Sequence, residues 1–447
     1  MNTSFIRRIW LKATFVAALA AIGLYVTVGA QGQATPRYQY DPGWPKPMPK
    51  KWKIGGVTGL ATDPQNDVWV YNRPNDLTNL ELEAELGVSD CCVRPPSMIH
   101  IDKNGTVIGS FDAPQGHGMD IDSKGFAYLG QNTVRKYDTR TGKLVGEVAH
   151  TPELENGGKF GPLEFPEHTP GVGGLGPVIG FLPQAPTGAR GSPTRPPEGG
   201  RAATPPDPAA QAAAREAFRK KYPPSTPMIV GGIEEIRLDE AANEMYVADN
   251  YLGGRVLVFD MNTFAFKRGW GAYGHKLSEI SINDADHRFA DGKPPKEFLG
   301  HLTLNFANDG LVYAADRAAD RIHVTTKDGK FLKEFIIAPP GTKRGNTADR
   351  GPAGGVAFSP DKAQKYLYIS DIKNNTIWFI NREDGTVAGR LGSMGESGGQ
   401  FFGLHMIATD SRGYIYTGEV FAGQRVQRFV PADSARGKLL EQLARAE

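Results

Sequence analysis

Only two of the 447 residues are cysteine, and these two, Cys91 and Cys92, are adjacent. A cysteine-built zinc site is thereby excluded. The pair either closes a vicinal disulfide in an oxidising compartment or stays as two free thiols. Charge of one sign is lacking too, since 51 basic residues face 49 acidic ones for a net charge of +2. With no basic stripe and no aromatic platform, no nucleic-acid partner is expected. Long apolar runs are missing apart from the one between Ala13 and Val28, which follows Arg7, Arg8 and Lys12 and ends in Val28, Gly29 and Ala30. That order of charge, apolar stretch and small residues reads as an export signal over residues 1–30, giving a periplasmic or secreted protein that starts near Gln31. The Arg7–Arg8 pair resembles a twin-arginine export motif, although Ile6 replaces the usual polar residue. An ordinary secretory signal or an uncleaved N-terminal anchor is the alternative, because the run is nearly long enough to span a bilayer. No other membrane contact is expected.

Aromatic and branched residues are scarce in one internal stretch, from Gly157 to Pro227, where Gly, Pro and Ala dominate. Such a composition does not offset the entropy of ordering, so 157–227 is expected to be a flexible insertion with one short helix at Ala209–Lys220. It is either a tolerated surface loop or a lid. Residues 31–53 are expected to form an N-terminal extension and 433–447 a helical tail.

What the chain does have is a repeat. Six segments each end in an acidic or polar turn and are followed by a second apolar strand: Thr58–Asp63, His117–Asp122, Glu234–Asp239, His301–Phe306, Gly354–Ser359 and His405–Asp410. Their followers include Val68–Tyr71, Phe126–Leu129, Met245–Asp249, Leu311–Asp316, Tyr366–Asp371 and Tyr414–Gly418, and most copies add a third strand such as Arg255–Phe259. Alternating apolar runs broken by Asp-Gly, Asn-Gly and Lys-Gly turns are strand and hairpin signals. Repeats of roughly 40 residues with four strands each are a propeller signature, because one blade cannot bury both its faces alone. The expected fold is all-β, a single six-bladed β-propeller over 54–432.

The first position of this repeat holds histidine in the second, fourth and sixth copies only, as His117, His301 and His405. Alternate blades of a six-bladed ring stand about 120° apart, so three imidazoles would converge on the axis. Three of nine histidines in one column point to a metal tripod with a fourth position open for water or substrate, as in catalytic zinc sites. The other six histidines read as hydrogen-bonded structural residues. In the odd copies the matching positions are Thr58, Glu234 and Gly354. Glu234 keeps open a different metal-assisted lyase or hydrolase with a carboxylate ligand, and the fold also serves as a non-catalytic binding platform.

The copies resemble NHL repeats, and the constellation is similar to the catalytic core of peptidyl-α-hydroxyglycine α-amidating lyase over most of Ile54 to Phe429. The segment Gly55–Asp63 followed by Val68–Asn75 matches that family's first blade and implies an active-site role for Arg73. Gln115–Asp122, Gly300–Leu304 and Phe401–Ala408 carry the three zinc histidines. Tyr246–Phe259 implies Tyr251 as catalytic tyrosine, and Tyr313–Ile322 implies Arg317 as a second active-site arginine. The resemblance thus implies zinc, and a small-molecule or peptide substrate with a carboxylate, cleaved to an amide and glyoxylate by a protein expected to be a monomer. Three positions depart. Met406 replaces an acidic calcium ligand, leaving Leu60 and Met119 to offer backbone carbonyls to a calcium ion; Gly403 replaces a methionine; Leu252 replaces a cysteine. Each functional residue also has a plain structural alternative: Arg73 and Arg317 as partners of Asp76, Asp316 or Asp320, and Tyr251 as a hydrogen-bonded core ring.

Overall fold

The computed structural model describes residues 35–78, 80–151, 208–250, 252–287, 294–337, 351–421 and 423–446. The export signal expected at 1–30, the first part of the insertion to residue 207 and Tyr251 lie outside the described residues. After a short strand, β1 (Tyr38–Tyr40), the chain lays down blade one as β2 (Gly56–Thr62), β3 (Val68–Arg73), β4 (Met98–Ile101) and β5 (Val107–Phe111). Blade two is β6 (Met119–Ile121), β7 (Phe126–Gly130), β8 (Val134–Asp138) and β9 (Lys143–Glu147). Helix α1 (Pro208–Lys221) precedes blade three, which comprises β10 (Ile233–Asp239), β11 (Glu244–Asp249), β12 (Arg255–Asp260) and β13 (Phe266–Trp270). Blade four is β14 (Leu302–Phe306) to β17 (Phe331–Ile336), and blade five is β18 (Val356–Phe358) to β21 (Val387–Leu391). Blade six has β22 (Leu404–Thr409), β23 (Ile415–Glu419) and β24 (Val426–Pro431), followed by helix α2 (Ala435–Ala446). These are six four-stranded antiparallel sheets, and the fold is a six-bladed β-propeller.

Burial follows the ring. Each second strand is apolar on both faces because a blade is covered on both sides, and six apolar clusters fill the gaps between successive blades. Trp69, Tyr71 and Met98 of blade one meet Met119, Leu129 and Tyr137 of blade two. The last gap closes the circle, with Val57, Val70 and Ile99 against Met406, Tyr416 and Val426.

The acidic residue of the repeat has a local task. Asp122 accepts from the backbone N–H of Lys124 and Phe126 and from the Tyr128 hydroxyl, so one carboxylate clamps the turn and aims the next strand. Asp410 does the same with Arg412, Tyr414 and Tyr416. In blade one Asp63 takes Gln65, Asp67 and the indole of Trp69. This Asx-type turn is shared by blades one, two and six.

Two boundaries differ from expectation. The extension 31–53 is not outside the ring, because β1 pairs with β24 through Tyr38↔Pro431 to Tyr40↔Phe429 and supplies the fourth strand of blade six. The later part of the insertion is docked, not loose. Arg215 and Arg219 of α1 pair with Asp284 at 2.6 and 2.9 Å, and the buried Arg255 donates to the carbonyls of Pro224, Thr226 and Met228. The tail forms α2 as expected. Among the described residues no helix is long and apolar enough to cross a membrane. Cys91 and Cys92 are joined as a vicinal disulfide.

Asp41 locks the closure. It is fully buried and accepts Arg428 of β24 at 2.5 Å and Arg436 of α2 at 2.6 Å. Burial raises its carboxyl pKa, but the two guanidiniums outweigh that and hold it below the ordinary value. Its stabilisation is therefore present above the usual carboxylate range and lost as pH falls through the folded value. Asp41→Ala is expected to lower unfolding free energy by about 3 kcal/mol, because Arg428 is left buried without its carboxylate. Urea unfolding at neutral pH checks this; an unchanged midpoint would show that the ring closes without the clamp.

Candidate metal centre

Antiparallel pairing between the first two strands of a blade is interrupted at a recurring place. In blade one Val57 faces Asn72 and Gly59 faces Tyr71, so Thr58 is an extra residue. Glu234 is the extra residue between Ile233 and Glu235, and His405 between Leu404 and Met406. In blade two Gly130 bonds both to the His117 N–H and to the Gly118 carbonyl, and in blade five Ser370 bonds both to the Gly354 N–H and, by its own N–H, to the Gly355 carbonyl. These are β-bulges, which turn one side chain out of the regular alternation. The repeat position that holds the histidines is thus a bulge position. In blade four the corresponding His301 has φ +51 just before β14, a left-handed conformation unusual for a residue with a side chain.

The structure brings the three predicted histidines together with Glu234. His117 Nε2 lies 3.3 Å from His405 Nε2. Glu234 Oε2 lies 3.4 Å from His117 Nε2 and 3.4 Å from His301 Nδ1. The contacts run as a chain from His405 through His117 and Glu234 to His301. The other nitrogen of His117, Nδ1, is 2.8 Å from the Glu234 backbone carbonyl, which fixes the ring with Nε2 toward its neighbours. Gly118 has φ +78, and a Cβ there would press on the Glu234 carbonyl and the Glu235 Cα at 2.9 Å. Only glycine lets blades two and three approach this closely.

Burial holds the imidazoles of His117 and His405 neutral. The pKa of His117 falls to about 4 through burial, with Arg73 and His301 adding to the depression and Glu234 opposing it. That of His405 falls well below the ordinary value through burial, with contributions from His117 and Arg317. Neutral rings keep the lone pairs that a metal needs. Three imidazoles and a carboxylate are donors that suit zinc, so the residues fit that ion.

Both predicted arginines are within electrostatic reach of the histidines, since Arg73 acts on His117 and Arg317 on His405. Arg73 also takes its structural alternative, a 3.0 Å pair with Asp76. Arg317 is 5% exposed. Its neighbour Asp316 is engaged by Arg321 at 2.7 Å. Asn250, next to Tyr251, is fully buried with neither amide atom hydrogen-bonded. Sequence reasoning passed over it. The buried Thr58 hydroxyl, at the bulge position of blade one, likewise has no hydrogen-bond partner. Unsatisfied polar atoms at a site are the ones a ligand can satisfy.

The residues do not fit calcium. Met119 is expected to offer its carbonyl, but Arg237 Nη1 donates to that oxygen at 3.1 Å while also pairing with Glu235 at 3.0 Å. Met406 and Leu60 are buried in the apolar cluster that joins blades six and one. Burial, Asp120 and Glu234 push the Glu235 carboxyl up to about 7 against the opposing charge of Arg237. Gly403, with φ +104, is fixed by backbone, as a Cβ would collide with the Val420 carbonyl.

Among the described residues, the acidic and histidine side chains whose ligand atoms all lie within 4.8 Å of one another are Asp63, Asp67 and His100. His100 stacks on Trp69 at 3.9 Å, and both Asp63 oxygens are engaged in the turn clamp. This triad belongs to the blade scaffold. No protein-family model matches the chain, and no curated protein matches it. Among solved structures, a structural genomics protein of unknown function from Bacteroides thetaiotaomicron VPI-5482 is similar over 89% of this chain and 72% of that one, at 12% identity and a TM-score of 0.44, a likeness that carries no argument about the site.

Proposed function

We propose that the protein is a zinc-dependent lyase that splits an α-hydroxyglycine-type carbinolamide into an amide and glyoxylate. The observation that carries this reading is the gathering of His117, His301 and His405 from alternate blades, with Arg73 and Arg317 acting on two of them. In the reaction the carbinol hydroxyl loses its proton, the C–N bond breaks with its electron pair going to nitrogen, and nitrogen takes up a proton. Zinc held by the three histidines supplies Lewis acidity toward that hydroxyl. Arg73 and Arg317 hold the substrate carboxylate, for which the planar guanidinium is suited. Tyr251, assigned by the family resemblance, accepts the hydroxyl proton. A second reading, a different metal-assisted lyase or hydrolase, is favoured by one observation, the Glu234 carboxylate among the histidines.

The test is turnover of α-hydroxyhippurate by zinc-loaded protein, followed as glyoxylate release. Tyr251→Phe is expected to lower that turnover about 10²-fold, the scale for losing a general base, with zinc content unchanged. No glyoxylate from several α-hydroxyglycine derivatives would exclude this lyase reaction.

A further inference from the structure

A carboxylate buried to 1% exposure between the imidazoles of His117 and His301 asks for a chemical reason. Glu234 is not where the regular strand would put it, because the bulge between Ile233 and Glu235 turns it out of the pleat. Its backbone and side chain both serve the same cluster. The carbonyl orients His117 through Nδ1, and Oε2 stands 3.4 Å from the opposite nitrogen of that ring and 3.4 Å from His301. Ligand bonds of about 2.0–2.1 Å around a tetrahedral ion place neighbouring donor atoms about 3.3–3.4 Å apart. The 3.3 Å between His117 and His405 and both distances to Glu234 have that value, whereas no three of the four residues have all their donor atoms within 4.8 Å of one another, so an ion must draw this chain of donors together by side-chain rotation. Gly118, which admits no Cβ against the Glu234 backbone, keeps this approach close.

We infer that Glu234 is a fourth protein ligand, so that the centre is a three-histidine, one-carboxylate site and substrate joins as an added ligand. The inference rests on the metal-centre reading and changes its chemistry. An anionic oxygen cancels one of the two charges on a divalent ion and moves the donor set toward harder metals, so manganese or iron competes better than at three histidines alone. A divalent ion in turn offsets the desolvation of a carboxylate buried this deeply.

The experiment loads the full-length protein with Zn2+ alone, then with Co2+ as a spectroscopic probe. Wild type should bind about one ion per chain, with Glu234→Gln losing roughly tenfold or more in Zn2+ affinity against a chromophoric chelator, at or above the scale for an outer-shell partner. The visible Co2+ spectrum should change in Glu234→Gln and return toward wild type in Glu234→Asp, which keeps the carboxylate. Wild-type crystals soaked in Zn2+ give a measurement independent of any variant's folding, with Oε2 expected about 2.0–2.2 Å from the ion. One ion per chain with the carboxylate beyond bonding distance and with unchanged Glu234→Gln affinity overturns the ligand role alone. No bound ion in wild type overturns the metal centre with it.

Discussion

His405→Ala is expected to lose zinc and leave the propeller standing. The ring is held by six apolar clusters between blades, and His405 belongs to none of them. It is a bulge residue whose backbone neighbours Leu404 and Met406 keep their pairing with Glu419 and Gly418 whatever side chain stands between. What the imidazole contributes is a donor nitrogen 3.3 Å from that of His117, kept neutral by burial. Removing it should weaken zinc binding roughly 10²-fold or more, beyond the 10–100-fold typical of an outer-shell partner. Lyase turnover should fall to background at equal metal concentration. Circular dichroism should be unchanged, with a melting temperature within a few degrees of wild type. Retention of one tightly bound zinc would remove His405 from the centre, and global unfolding would show that the histidine cluster holds the ring.

The ring was legible because its rules are local. Period-two apolar strands, glycine turns and the carboxylate of Asp63, Asp122 or Asp410 recur at fixed spacing, and each clamp works within seven residues of chain. The nearness of His117 and His405 was legible for a different reason, since closing six copies into a circle converts a place in the repeat into an angle about the axis. What sequence could not show depends on register. Thr58, Glu234 and His405 share a bulge that no residue type announces, and it is this bulge that brings a carboxylate onto the histidines. Beyond the bulge Glu235 and Arg237 share a face by ordinary strand alternation, and the Arg237 guanidinium claims the Met119 carbonyl expected for calcium. The three-residue β1 was read as an extension because its partner, β24, lies almost the whole chain away. One signal was available. The sixth copy has only three strands before the helical tail, so a ring of four-stranded blades had to borrow the last one.

Arg317→Ala separates substrate binding from metal chemistry. Arg317 follows β15 (Val312–Asp316), and its charge contributes to the low pKa of His405. Being nearly buried, it meets a substrate carboxylate with little water to screen the pair, and truncating one partner of such a pair costs about 2–5 kcal/mol. The expected loss is about 10²–10³-fold in kcat/KM, near the middle of that range at 1.4 kcal/mol per decade. Because the carboxylate is already present before the C–N bond breaks, KM should rise as well as kcat fall, whereas Tyr251→Phe should act mainly on kcat. Arg317→Lys should recover only part of the loss, as an ammonium offers charge without the paired N–H geometry. Zinc content should stay at the wild-type level, which distinguishes this variant from His405→Ala. An analogue with the carboxylate replaced by a neutral amide should be turned over equally by wild type and Arg317→Ala. If the variant instead discriminates against the neutral analogue as strongly as wild type does, Arg317 does not hold the carboxylate, and its electrostatic action on His405 is its contribution.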